Sequence, residues 1–447
     1  MESMVDEHLV QAATRAYVYG YPLLYNLDEI GKLPAGHGTL AGGRAVPWNT
    51  FFCARELLGP TAEFVSPNND TLYLIAPLDL SGGPVRVEVP DTDDRYYVLQ
   101  CVDAWTNNFA YIGRRATGTG PGTFTFIPPG FDGTVDDRST VIATPSNVAV
   151  IVGRLQVDGE ADLPVVHGLQ DRFTISESGT EHVGIPSPAD GVVDPLLWWE
   201  RLRVALAAFP PPDGDAPFVQ SLEPLGLLQG DTPYADPDPD LAEALRAGAE
   251  AGQAMIDRLS GGSGSAPAGW TSGTHWFDYN LDRLGLGTLD DPEWKIADRS
   301  KAAVTRAVAA RAGLWGNHGY EAFYAPIFTD ADGELLDGSR RYEVTFAPAP
   351  PVDAFWSLTM YDVPRFYLVD NPIDRYSLGD RSPGLVTNDD GSVTIYLQAG
   401  SPGREREANW LPTPADGPFR PMLRAYQPGA ALLDGSYPLP PITRTDR

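Results

Sequence analysis

Over residues 71–174 the chain is written in short apolar runs cut every few positions by turn formers. Val85-Arg86-Val87-Glu88-Val89 and Thr123-Phe124-Thr125-Phe126-Ile127 alternate apolar and polar side chains, the pattern of a strand with one face in the core. Residues 96–102 and 147–152 read as central, buried strands. Strands this short and this closely spaced predict a β-sandwich or barrel. The pattern returns after Arg341, with strands expected at 342–346, 355–361 and 393–397 and a hairpin turn at Asn388-Asp389-Asp390-Gly391. The 46 glycines and 42 prolines press in the same direction, since they supply turns and interrupt helices.

Helical periodicity is confined to two places. Residues 6–30 place Leu9, Ala12, Ala13, Ala16, Tyr17 and Gly20 at helical spacing, and Tyr21-Pro22 is expected to bend or end that helix. Residues 31–66 are Gly-rich and irregular. A second helical stretch lies between the two β regions. One helix is expected over 196–208, stopped by three prolines. Another over 239–259 is stopped by Gly261-Gly262-Ser263-Gly264-Ser265, and a third opens at Asp291-Pro292 and runs through 299–314. The reading is mainly β with a helical insert: an N-terminal helix and irregular segment (1–64), an Ig-like β-sandwich (65–185), a helical segment (186–329) and a second β-sandwich (330–447).

The formal net charge of −28 argues against nucleic acid and anionic membrane surfaces, which need basic patches. It steers a neutral or cationic ligand inward more readily than an anion, unless arginines dominate a pocket locally. Cys53 and Cys101 make neither a disulfide framework nor a zinc site, and the six histidines show no metal spacing. No HExxH, paired CxxC, P-loop or GxSxG elbow occurs. Asp330-Ala331-Asp332-Gly333 has its glycine too early for a calcium loop and reads as a turn. No metal and no cofactor is therefore expected. The acidic start of the chain lacks the apolar core of a secretory signal, and no apolar run reaches membrane-spanning length, so a cytoplasmic protein is expected.

Three polar groups stand out. The first is Asn68, Asn69, Asp70 and Thr71 with Tyr73, a set of turn-forming residues feeding directly into an apolar strand. In the plainer interpretation they only cap and turn the chain. In the functional one Asp70 is a general base, or orients a substrate hydroxyl, with Asn68 and Tyr73 beside it. The second is Asp103, Trp105, Thr106 and Asn107, just after a central strand. The third is Arg375-Tyr376 with Asn409-Trp410 and Arg424-Ala425-Tyr426, where arginine offers a planar fork for a carboxylate or phosphate. Asn69, Thr71, Asp103, Trp105, Arg375, Tyr376 and Trp410 are the expected substrate contacts. A buried arginine–carboxylate lock is the competing interpretation of the third group.

Several of these segments carry a family resemblance. Ala16-Tyr17-Val18-Tyr19-Gly20-Tyr21-Pro22, Pro67-Asn68-Asn69-Asp70-Thr71-Leu72-Tyr73, Asp94-Arg95-Tyr96-Tyr97, Asp103-Ala104-Trp105-Thr106-Asn107 and Thr144-Pro145-Ser146 occupy the first half. Phe355-Trp356-Ser357-Leu358-Thr359-Met360-Tyr361, Asn371-Pro372-Ile373-Asp374-Arg375-Tyr376-Ser377 and Asn409-Trp410-Leu411-Pro412 occupy the second. In this order they resemble bacterial proteins that pair two domains of unknown function, numbered 1254 and 1214. The resemblance implies a jelly-roll-like C-terminal domain and supplies no reaction. Two functions remain open: an enzyme acting on a small organic metabolite by hydrolysis or proton transfer without a redox cofactor, and a non-catalytic protein that binds a small ligand or carbohydrate and stacks into homo-oligomers.

Overall fold

The computed structural model describes residues 6–260 and 269–445. The Gly-Ser run at 261–265 and residues 1–5 of the acidic N-terminus lie outside them. The chain opens with α1 (Glu7–Lys32), capped by the Asp6 carboxylate on the His8 N–H. This helix runs through Pro22 rather than ending there. A proline inside a helix removes one backbone hydrogen bond, and here the burial of Leu23, Leu24, Leu27 and Ile30 beyond it outweighs that loss.

Nine strands and a short helix follow: β1 (Phe52–Cys53), β2 (Thr71–Asp79), β3 (Val85–Val89), β4 (Tyr97–Asp103), β5 (Asn108–Gly113), β6 (Gly122–Ile127), β7 (Thr140–Ala143), β8 (Val148–Gln156), α2 (Leu163–Gln170) and β9 (Thr174–Glu177). They form a five-stranded sheet in the order β1-β2-β8-β4-β5 and a four-stranded sheet in the order β7-β6-β3-β9. Leu72, Leu74, Ala76, Leu99, Cys101, Ala149 and Ile151 from the first meet Val85, Val87, Phe124 and Phe126 from the second, which makes a sandwich core.

The middle of the chain supplies α3 (Leu197–Ala208), the short α4 (Ala216–Gln220), α5 (Pro239–Leu259) and α6 (Arg299–Gly313). Asp238 and Asp298 cap the last two on their first backbone N–H groups. These helices join α1 in a layer over the outer face of the five-stranded sheet. Tyr73, Ile75, Val102, Val148, Val150 and Val152 point into that layer, one residue out of phase with the sandwich core. Both faces of the sheet are thus covered, which is why β2 is buried at every position instead of alternating.

The C-terminal region contains β10 (Ala322–Pro326), β11 (Tyr342–Phe346), β12 (Val352–Asp362), β13 (Ser377–Gly379), β14 (Val393–Gln398), β15 (Trp410–Pro412), β16 (Phe419–Pro428), α7 (Ala430–Leu433) and β17 (Thr443–Arg444). Two four-stranded sheets, β10-β16-β12-β13 and β15-β14-β11-β17, close on a second core built from Trp356, Leu358, Met360, Val344, Phe346, Ile395 and Leu423. The turn at 388–391 forms, with the Gly391 N–H on the Asn388 carbonyl. It is not a hairpin between ladder neighbours, because β14 pairs with β11 and β15.

The alternate residues of β12 and β16 face the other way. Phe355, Tyr361, Met422 and Tyr426 pack with Tyr96 just ahead of β4, with Val98 and Tyr111 of the first sheet, and with Phe277 and Tyr324. The two β domains therefore meet sheet to sheet through a largely aromatic contact, with the helical layer along one side.

Candidate functional site

The outer face of the first sheet, the outer face of the second and the helical layer converge on a cavity of about 190 Å³. Tyr73 on β2 and Arg154 on β8 stand opposite each other in the ladder and enter it from the N-terminal domain. Arg420, Met422, Arg424 and Tyr426, at alternate positions of β16, enter it from the C-terminal domain, with Tyr324 of β10 beside them. Phe64, Val152, Val308, Ala312, Leu314, Trp315 and Phe328 give it an apolar wall. Among the described residues no Asp, Glu, His or Cys lines it.

Arg154, Arg420 and Arg424 are buried, at 7%, 2% and 3% exposure. Buried arginines are ordinarily paired with carboxylates. These three instead bond to neutral groups. Arg154 donates to Gln100 Oε1 (2.8 Å) and to the Trp315 carbonyl (2.8 Å). Arg424 donates to Thr359 Oγ1 (3.1 Å) and to the Ser66 carbonyl (2.7 Å). Arg420 donates to Ser66 Oγ (2.5 Å), stacks over Phe366 at 3.9 Å and keeps a buried Nε without a partner among the described residues. Burial pushes Arg420 down to about 9, and neighbouring Arg424 adds to that effect. Burial also opposes the charge on Arg424, but Tyr361, Tyr426 and the Asp70 carboxylate outweigh it and raise its pKa.

The loop before β2 is clamped between these groups. The Ser66 N–H bonds to the Phe366 carbonyl (2.9 Å), and the Tyr361 hydroxyl donates to the Pro67 carbonyl. Asn68 Oδ1 accepts from the N–H groups of Asp70 (3.3 Å) and Thr71 (3.1 Å) and from Thr71 Oγ1 (2.9 Å). The Tyr73 hydroxyl accepts from the Asn68 N–H (3.2 Å). Ser66 and Trp315, both on the cavity wall, have φ of 50° and 62°. Left-handed backbone in residues other than glycine costs on the order of 1–3 kcal/mol and gathers at functional sites.

Asp70 is 8% exposed and does not line the cavity. Its Oδ2 accepts from Ser357 Oγ (2.5 Å) and its Oδ1 from the Tyr426 hydroxyl (2.8 Å), while Arg381 holds its carbonyl (2.8 Å). Both carboxylate oxygens are thus taken by side chains of the other domain. Tyr426 lies at the cavity, and burial together with the Asp70 carboxylate raises its pKa well above the ordinary tyrosine value. It keeps its proton at neutral pH and directs it to Asp70.

Of the residues singled out in the sequence, Asn68 and Tyr73 meet Arg424 and Tyr426 at this cavity. Asn69 and Thr71 flank it: Asn69 donates to the Leu58 carbonyl, and Thr71 bonds to Asn68. Asp103 and Trp105 lie elsewhere. The Asp103 carboxylate closes its own turn on the N–H groups of Trp105 (2.9 Å) and Asn107 (2.8 Å), and the Trp105 indole donates to the Phe209 carbonyl (2.9 Å). Arg375 holds the carbonyls of Glu407 and Trp410, and Tyr376 donates to Asp374, so these pin the C-terminal domain locally. Arg154 and Arg420 were not anticipated. Their signal is a charged residue inside an otherwise apolar strand, in Val148-Ala149-Val150-Ile151-Val152-Gly153-Arg154 and in Phe419-Arg420-Pro421-Met422. Among the described residues no three His, Cys, Asp or Glu side chains gather as a metal site, and no helix is long and apolar enough to cross a membrane.

Family models match at both β regions. Residues 48–177 match "Protein of unknown function (DUF1254)" and residues 321–430 match "Protein of unknown function (DUF1214)". The chain pairs a DUF1254 domain with a DUF1214 domain. The cavity draws on both, with Tyr73 and Arg154 inside the first match and Tyr324, Arg420, Arg424 and Tyr426 inside the second. The chain is similar to the crystal structure of the VPA0106 protein from Vibrio parahaemolyticus, with 27% identity and a TM-score of 0.68 over 98% of this chain and 100% of that one. A putative uncharacterized protein from Burkholderia cenocepacia aligns at 12% identity and a TM-score of 0.45, over 98% of this chain and 95% of that one. No curated protein matches.

Proposed function

We propose that the cavity between the two domains binds a small organic acid, its carboxylate among Arg154, Arg420 and Arg424 and its apolar body against Trp315, Phe64 and Phe328. One observation carries this reading: three buried guanidinium groups share a cavity wall that has no carboxylate among the described residues, in a chain with net charge −28. An unpaired buried charge is costly, and an anionic ligand is the partner that offsets it. The size fits as well. A dry cavity of about 150 Å³ takes up benzene, so about 190 Å³ suits a molecule slightly larger. Pockets of this kind, apolar with a few converging polar groups, concentrate at domain interfaces.

The catalytic form of the same proposal is proton transfer from a bound acid. Tyr426 favours it, because its hydroxyl sits at the cavity with the Asp70 carboxylate behind it. Because the Tyr426 hydroxyl gives its proton to Asp70, its oxygen is left as the acceptor, and a pair of this polarity removes a proton, passing its own to the carboxylate, more readily than it donates one. Hydrolysis has less support, since among the described residues no Asp, Glu or His on the wall stands ready to activate water.

The test is a thermal-shift and calorimetric screen of paired carboxylic acids and their primary amides. Acids of six to ten heavy atoms are expected to raise the melting temperature, and the neutral amides are not. Arg424→Gln should remove the effect. Equal binding of acids and amides, or no binding by any acid, would overturn the proposal.

A further inference from the structure

Asn68 is 3% exposed and lines the cavity, yet its Nδ2 has no hydrogen-bond partner among the described residues. The orientation of the amide is not arbitrary. Its oxygen lies within 2.9–3.3 Å of two backbone N–H groups and one hydroxyl. Turning the amide over would set an NH2 group against two N–H donors, so the nitrogen must point away from the turn.

Asn68 also sits between the two sets of arginines. Two residues earlier, Ser66 receives both Arg420 and Arg424 from the C-terminal domain. On the other side the Tyr73 hydroxyl takes the Asn68 N–H, and the Arg154 guanidinium lies 5.6 Å from the Tyr73 ring centroid. A donor held rigidly at that place meets whatever stands next to the ligand's charged group. A ligand that closes this place off from solvent must supply the acceptor itself.

We infer that the ligand is an acid carrying a second hydrogen-bond-accepting oxygen beside its carboxylate, as a 2-oxo acid does, and that Asn68 reads this oxygen. The inference rests on the proposed binding of organic acids and narrows the class. A site built to bond an oxygen rejects the analogue that lacks it, because the buried donor is then left unpaired. Asn68 is a specificity-determining residue on this assignment, and the arginines supply affinity for the carboxylate common to both kinds of acid.

The experiment compares matched pairs by calorimetry on the full chain. 2-Oxo-4-methylpentanoate is set against 4-methylpentanoate, and 2-oxopentanoate against pentanoate. The oxo acid is expected to bind about tenfold or more tightly than its partner, the size of effect that one unpaired buried donor produces. Asn68→Ser keeps an oxygen for the turn and withdraws the amide from the cavity. It should bring the ratio close to one, chiefly because the simple acid no longer leaves a buried donor unpaired and binds more tightly. If both members of each pair bind equally to the unaltered protein, the assignment of Asn68 fails and the organic-acid reading stands. If neither member of any pair binds, both fall. If Asn68→Ser does not fold, the ratios on the unaltered protein still decide the question.

Discussion

Asp70 of the first β domain accepts a hydrogen bond from the hydroxyl of Tyr426, on the central strand pair of the second, at 2.8 Å. With Ser357 on its other oxygen, the carboxylate is a pin between the domains. Its sequence setting, a turn leading into a strand, equally allowed a general base. The structure places it behind the cavity wall, where it orients the tyrosine that does reach the cavity.

A double-mutant cycle measures this pin. Asp70→Asn and Tyr426→Phe should each destabilise the fold, and their coupling should be about 1–3 kcal/mol, the range for a buried hydrogen bond to a charged group between residues in contact. Urea unfolding of the four proteins supplies the numbers. Additive effects within a few tenths of a kcal/mol would show that the contact does not hold the domains together.

His318 sets a pH dependence. It is fully buried, its Nδ1 is 2.9 Å from the Tyr111 hydroxyl, and its ring stacks on Tyr320. The same hydroxyl accepts from the His318 backbone N–H (3.0 Å). Burial, with Arg115 nearby, pushes the His318 pKa down to about 3. The unfolded chain takes up a proton near pH 6.5 that the folded chain refuses until about pH 3. Stability should therefore fall as pH drops through this window, by about 1.4 kcal/mol per unit from this residue alone. Asp278, whose pKa burial pushes up to about 6, contributes with the opposite sign. The diagnostic quantity is thus the difference between the protein and His318→Gln, measured by urea unfolding from pH 7 to pH 4. An identical slope in both would show that His318 titrates normally.

The two sandwiches and the helices between them were legible because alternation with period two, and its loss, report burial directly. Val85-Arg86-Val87-Glu88-Val89 forms a strand with one covered face and one open. The site was legible only in part. Turn chemistry and ligand chemistry use the same residue types, so Asp103, which closes a turn, looks no different in sequence from Asn68, which faces a cavity. Arg375 likewise bonds to backbone carbonyls of its own domain, a contact between residues far apart in sequence. Arg154 and Arg420 were missed because a strand pattern is read from its apolar members. A charge within such a run is the more informative residue, since a strand covered on both faces has nowhere to hide it.

Ligand association should depend on salt in an unusual direction. The chain carries a net charge of −28, and an anionic ligand approaches against that field before it reaches the arginines. Screening weakens the long-range repulsion more than the short-range contacts in the cavity. Stopped-flow measurements should show the association rate constant rising between 20 mM and 200 mM salt, both ionic strengths being about those at which the screening length passes from ~20 Å to below 10 Å. A rate that falls with salt would mean that a positive field dominates the entrance.

Arg420 gives the sharpest contrast between stability and binding. It is buried at 2% exposure, bonds only to neutral groups and carries an unpartnered Nε. Arg420→Met keeps most of the side chain's length and removes the charge. The stacking over Phe366 at 3.9 Å is lost, a contact of about 0.5–2 kcal/mol. A thioether against the same ring returns a comparable ~0.3–1.5 kcal/mol. What remains is relief from burying a guanidinium with no counter-charge. The ligand-free variant should therefore be as stable as the unaltered protein or more so, by an amount on the order of 0.5–2 kcal/mol, as for other changes that relax a functional site. Its affinity for organic acids should fall at the same time. Calorimetric melting and acid titration of one preparation test both halves. A variant that is clearly destabilised and still binds acids would make Arg420 a structural residue, with the anion held by Arg154 and Arg424 alone.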